Sequence, residues 1–90
     1  MAGSRNKMDT LSEFWCIRCG NRGIPIMREK GSIRSKGHRK ALYCVRCRMV
    51  LNHIETRSGE EAQRFREEFA AGKYAEEAEQ SAAYAKEHNL

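Results

Sequence analysis

Two short cysteine pairs constrain this chain more than anything else in it. Cys16-Ile17-Arg18-Cys19 and Cys44-Val45-Arg46-Cys47 hold all four cysteines, with twenty-four residues between the pairs. Two residues between sulfurs let one tight turn aim both thiolates at a single ion. The longer separation lets a second turn supply the other two. The spacing therefore predicts a tetrahedral four-cysteine site for one Zn²⁺. Such a site is closed and structural, because catalytic zinc keeps a position open for water. Two disulfides, a redox-active C-x-x-C and iron–sulfur ligation are the competing readings. Disulfides need an oxidising compartment, and redox pairs usually sit in a βαβ context that the pattern here lacks.

A chain of 90 residues makes one domain, with at most an appendage. A domain this small struggles to bury enough apolar surface to offset chain entropy. Metal binding fills that gap, since its free energy, on the order of 10–16 kcal/mol in zinc-finger peptides, becomes folding free energy. The cysteine-containing part is expected to be unfolded without metal. No apolar run has the length of a membrane span or a signal peptide, so a cytoplasmic location is expected.

The charge is lopsided. Residues 1–57 carry thirteen Lys or Arg against four acidic residues, a net +9. Residues 58–90 carry four against eight, a net −4, which leaves +5 overall. A basic half implies a polyanionic partner, nucleic acid being the commonest, or else a solvated surface.

Residues 1–12 are polar at the start, without sustained periodicity, and are expected to be disordered. Phe14 and Trp15 predict a short strand with one ring on each side. One ring covers the metal site or core; the other packs against a C-terminal helix or stacks on a base. Gly20 suits the positive φ that closes a metal-binding turn. Residues 24–27 read as a strand at a sheet edge, because Pro25 cannot donate to a ladder. Residues 28–40 form a basic loop with six Lys or Arg and one acid. Residues 41–43 lead into the second pair as a strand.

The stretch 48–56 reads as a strand in preference to a helix, on its β-branched content. Leu51 and Met49 would share one face, Val50 and Ile54 the other. Ser58 and Glu61 form a capping box for a helix with Ala62, Phe65 and Phe69 on one face. Glu60 and Arg64 stand four apart, and Gly72 ends the helix. Residues 74–88 predict a second helix with a thin apolar face of Tyr74, Ala78, Ala82 and Ala85. That face packs on the cysteine-bearing part, meets a partner, or frays.

The motif Cys16-x-x-Cys19-Gly20 with Cys44-x-x-Cys47, flanked by strands, resembles the zinc-ribbon family over residues 13–57. The whole chain is also similar to small uncharacterised zinc-ribbon reading frames of bacteria and their phages. The resemblance implies a small metal-stabilised α+β fold, with short antiparallel strands around the metal. One or two C-terminal helices over 58–90 follow it. Zinc ribbons often carry glycine after the second cysteine of each pair; here Arg48 takes that place in the second.

The first functional expectation is a non-enzymatic module that binds DNA, RNA or a nucleoprotein. Its metal ligands are Cys16, Cys19, Cys44 and Cys47. Its contacts are Arg28, Lys30, Arg34, Lys36, His38, Arg39 and Lys40, with Tyr43 and Trp15 for stacking. Arg18, Arg46 and Arg48 offset the negative thiolate centre or contact phosphate. His38 and His53 lack ligand spacing, His88 lies near an end expected to fray, and the four thiolates already complete a set, so neither catalysis nor a small-molecule substrate is expected. The second expectation is a protein-interaction adaptor acting through the helices and exposed aromatics. Its partner would be a polymerase, nuclease or defence complex.

Overall fold

Two hairpins, each folded at a cysteine pair, make the framework. The computed structural model describes residues 9–29 and 38–90. Strand β1 (Asp9–Cys16) runs into the first pair, and the chain returns along it. Gly23 N–H donates to Phe14 O at 2.7 Å, and β2 (Ile26–Glu29) pairs antiparallel with Asp9–Ser12. Strand β3 (Arg39–Cys44) runs into the second pair, and β4 (Met49–Thr56) returns from it in register, Cys44 opposite Met49. The second half of β1, Glu13–Cys16, pairs antiparallel with β4. The sheet order is therefore β2-β1-β4-β3. This join brings the two cysteine turns to the same end.

Several boundaries differ from those the sequence suggested. Asp9–Ser12, expected to be disordered, belong to β1, because their backbone groups find partners in β2. Ser12 is fully buried there, and its hydroxyl donates to the buried carboxylate of Glu55 at 2.5 Å. The strand expected over 24–27 starts at Ile26, after Pro25, and lies at the sheet edge as anticipated. The basic stretch 28–40 is shorter as a loop: Arg28 and Glu29 end β2, and Arg39 and Lys40 begin β3. The expectations for residues 1–8 and 30–37 lie outside the described residues.

Strand β4 has the two-residue period that its sequence implied. Leu51, His53 and Glu55 point to one face, Ile54 and Thr56 to the other, and all five are buried. The second face receives the helices. Helix α1 (Gly59–Ala70) is capped by Ser58, whose Oγ accepts from Glu61 N–H at 3.1 Å. The Glu61 carboxylate reaches one residue further back than a capping box requires, accepting from Arg57 N–H at 2.8 Å. Glu60 and Arg64 are not among the ion pairs of the described residues. Gly72, at φ 82°, ends the turn after α1, its N–H on Phe69 O.

Helix α2 (Ala75–His88) packs on β4 through Tyr74, just before it, and Ala78, Ala82 and Ala85, all buried. The thin alanine face is thus a close-approach surface for the sheet. Asn52 N–H donates to Ser81 Oγ at 3.0 Å across that contact. Trp15, Ile17, Ile54, Ala62, Phe65, Tyr74 and Ala78 form the main core. Phe65 sits at its centre, with ring centroids 5.7 Å from Trp15, 5.7 Å from Phe69 and 5.3 Å from Tyr74.

Candidate metal centre

Each cysteine pair straddles a strand end and a turn. Cys16 and Cys44 are the last residues of β1 and β3; Cys19 and Cys47 sit in the turns that follow. The turns close in the same way. Gly20 N–H donates to Cys16 O at 2.8 Å, and Arg48 N–H donates to Cys44 O at 2.7 Å. Backbone N–H groups inside each turn point at sulfur: Arg18 N to Cys16 Sγ and Cys47 N to Cys44 Sγ, both at 3.4 Å. Such donors favour the thiolate form.

The four sulfurs lie within 4.8 Å of one another, and all four cysteines are free of disulfides. Cys16 Sγ is 4.0 Å from Cys47 Sγ, and Cys19 Sγ is 3.6 Å from Cys44 Sγ. An ion at the centre of a thiolate tetrahedron with metal–sulfur bonds of about 2.3 Å requires edges of roughly 3.8 Å. The donor set therefore fits a single tetrahedral ion that accepts soft ligands. A cluster of several irons would hold its ligands further apart.

The protein alone does not favour four thiolates. Burial pushes the Cys16 thiol up to about 12, and burial with the neighbouring Cys19 and Cys44 raises Cys47. Burial acts against Cys44 as well, but the N–H of Cys47 and the Cys19 thiol outweigh it and lower that group. A divalent ion reverses this balance, since coordination deprotonates a thiol outright. Leu51 and Ala82 pack with the buried Cys16 and Cys44, and Met49 borders them. The centre thus has a dry inner side and a solvent-facing outer side carried by Cys19 and Cys47. When bound, the ion would supply a crosslink between the two hairpins.

Of the residues expected to contact nucleic acid, four lie on or beside β3: His38, Arg39, Lys40 and Tyr43. Lys30, Arg34 and Lys36 lie outside the described residues, and Arg28 is placed only by its backbone in β2. His38 is half-buried, and its carbonyl accepts from Glu55 N–H at 2.9 Å. Lys40 is half-buried opposite His53 in the β3–β4 register. Tyr43 is exposed.

Two of the expected contacts are already engaged within the fold. Arg39 forks onto Glu77 of α2, Nε to Oε2 at 3.0 Å and Nη2 to Oε1 at 2.8 Å, and lies 5.7 Å over the Tyr74 ring. That contact holds the Glu77 carboxyl below its usual range. Trp15 is a correction. Its ring is buried against Phe65, and its indole N–H donates to Thr56 Oγ1 at 2.9 Å, so it offers no free face for a base. The alternating pattern of β4 made this outcome reachable, because Trp15 stands opposite Ile54 on the helix-covered face.

His53 is buried, with Nδ1 2.8 Å from Leu51 O, and burial lowers its pKa. It is a satisfied strand residue on the metal-side face. Sequence reasoning missed Glu77, which no motif marks. It also missed the groove of about 520 Å³ between the first cysteine turn and the helices, floored by Ile17, Phe69 and Ala78. Among the described residues no helix is long and apolar enough to cross a membrane. Compared with protein-family models, with curated proteins and with solved structures, the chain matches none.

Proposed function

We propose that this chain is a zinc-ribbon module, in which one structural Zn²⁺ holds two hairpins together. The module presents a basic surface to the phosphates of DNA, RNA or a nucleoprotein. The observation that carries the reading is the set of four cysteine sulfurs, all within 4.8 Å of one another, in a half of the chain with net charge +9. Four protein ligands leave no coordination position for a substrate, so the role proposed is binding rather than catalysis. Free thiols at the centre suit a reducing compartment such as the cytoplasm.

Cationic surfaces bind nucleic acid by releasing condensed counterions, so affinity falls steeply as salt rises. The test is fluorescence anisotropy of labelled single-stranded and duplex DNA and RNA with the zinc-loaded chain, between about 50 and 200 mM salt. A steep, sequence-tolerant salt dependence is expected. Affinity indifferent to ionic strength removes the phosphate reading.

The apolar groove favours a second reading, an adaptor that docks a protein partner on its helices. Deleting residues 73–90 separates the two only if the ribbon keeps its metal. In that case nucleic-acid binding survives under the first reading, and partner binding is lost under the second.

A further inference from the structure

The arginines other than Arg28 among the described residues fall into two groups. Four have partners within the fold. Arg22 pairs with Glu13, Arg39 with Glu77 and Arg57 with Glu61, while Arg66 bonds Gln63 and lies over Trp15. Arg18, Arg46, Arg48 and Arg64 make no side-chain hydrogen bond or ion pair with any described residue. Three of these four belong to the cysteine turns, and all three are exposed.

Arg48 carries a second observation. It occupies the place in its turn that Gly20 occupies in the other, directly after the second cysteine. Both residues close the turn through the same N–H to the first cysteine's carbonyl. Both have a left-handed backbone, φ 77° at Gly20 and 60° at Arg48. Glycine adopts that conformation without penalty; arginine does not. The arginine side chain is exposed and makes no hydrogen bond or ion pair with any described residue, so no such contact offsets the backbone cost. A residue held in an unfavourable backbone region, with an unused functional group, points to a use outside the fold.

We propose that Arg48, together with Arg46 and Arg18, contacts nucleic-acid phosphates at the metal end of the molecule. This inference rests on the nucleic-acid reading above and gives it a location. The guanidinium fork matches a phosphate with two parallel hydrogen bonds, and the rigid turns hold their backbone origins in place. Four thiolates on a divalent ion carry about −2, and three arginines more than offset it. An acidic protein segment is the competing ligand, and neutralising the metal centre is the competing role.

The experiment uses the full zinc-loaded chain and three variants, Arg48→Gly, Arg48→Ala and Arg18→Gln with Arg46→Gln. Each is measured for affinity to a labelled single-stranded DNA across salt, for melting temperature, and for zinc release to a chromogenic chelator. Poly-glutamate serves as the competitor. Each lost phosphate contact is expected to make the slope of log K against log salt shallower by about 0.7. Over a fourfold change of salt this narrows the gap from wild type by about threefold. Arg48→Gly is expected to melt higher than Arg48→Ala, with equal loss of binding and no faster release of zinc.

Faster zinc release from both Arg48 variants, with the salt slope unchanged, overturns the inference and makes Arg48 a counter-charge for the metal. Displacement of DNA by poly-glutamate at equal charge concentration overturns it in favour of an acidic polypeptide. If the wild-type chain shows no salt-dependent binding at all, the broader reading fails. If wild type binds but all three variants keep its slope, only the location fails.

Discussion

Replacing Phe65 by alanine separates the two devices that hold this molecule together. The Phe65 ring is 2% exposed and lies between Trp15, Phe69 and Tyr74. Truncating a buried phenylalanine to alanine costs about 3–5 kcal/mol. A domain of this length has a total stability of roughly 5–13 kcal/mol at 0.05–0.15 kcal/mol per residue. The substitution therefore removes a large share of it. At about 4 °C or more per kcal/mol, the melting temperature should fall by at least about 12 °C. The effect should be local in kind. Trp15, uncovered as α1 loosens, should emit at longer wavelength, and helical circular dichroism should drop. Zinc should stay bound near room temperature, because all four ligands sit on β1, β3 and their turns. Differential scanning fluorimetry, tryptophan emission and zinc content measure the three outcomes on one sample. Loss of zinc with the helices still folded, or an unshifted tryptophan spectrum in a destabilised variant, refutes this division of labour.

Three further outcomes follow from the same structure. Gly20→Ala should lower the melting temperature and speed zinc release, because φ is 77° and the new methyl would stand 3.1 Å from the Phe69 ring; a cost of about 1–2 kcal/mol is expected. Glu77→Gln should cost about 0.5–1 kcal/mol at neutral pH. Arg39 holds the Glu77 carboxyl below its ordinary value, so this stability is present above the ordinary carboxylate pKa of about 4.3 and is lost as pH falls through the folded value. The gap between wild-type and variant melting temperatures should therefore be constant from about pH 8 down to about pH 6, where Glu77 is ionised in both states and the thiols can still hold metal; a gap that closes within that window would contradict the assignment. Chelation at neutral pH should unfold the hairpins and expose Trp15, since the ion's contribution of about 10–16 kcal/mol is comparable to the whole stability of the domain. Unchanged circular dichroism after proven metal removal would contradict it.

The four-cysteine cluster was legible because its chemistry is written in spacing: two residues between sulfurs fix a turn whatever lies around it. Strand β4 and the start of α1 were legible for a similar local reason, a two-residue period ending at a capping serine. What was not legible depended on partners distant in sequence. Asp9–Ser12 become a strand only because β2 returns beside them, and nothing in their own pattern announces that. Arg39 looked like a free cation in a basic run, and Glu77, thirty-eight residues away, takes it. Trp15 looked better suited to packing against a C-terminal helix than to stacking on a base, and its opposition to Ile54 fixes the helix-covered face. Arg48 breaks a local preference for glycine, and its turn closes in the same geometry regardless.

The most direct measurement is metal content and cysteine reactivity on the same purified chain. A four-thiolate centre requires one zinc per chain by elemental analysis. It also requires all four cysteines to resist alkylation until a chelator is added, and then to react together. Substoichiometric metal with four freely alkylated thiols, or a chain isolated with two disulfides, would contradict it.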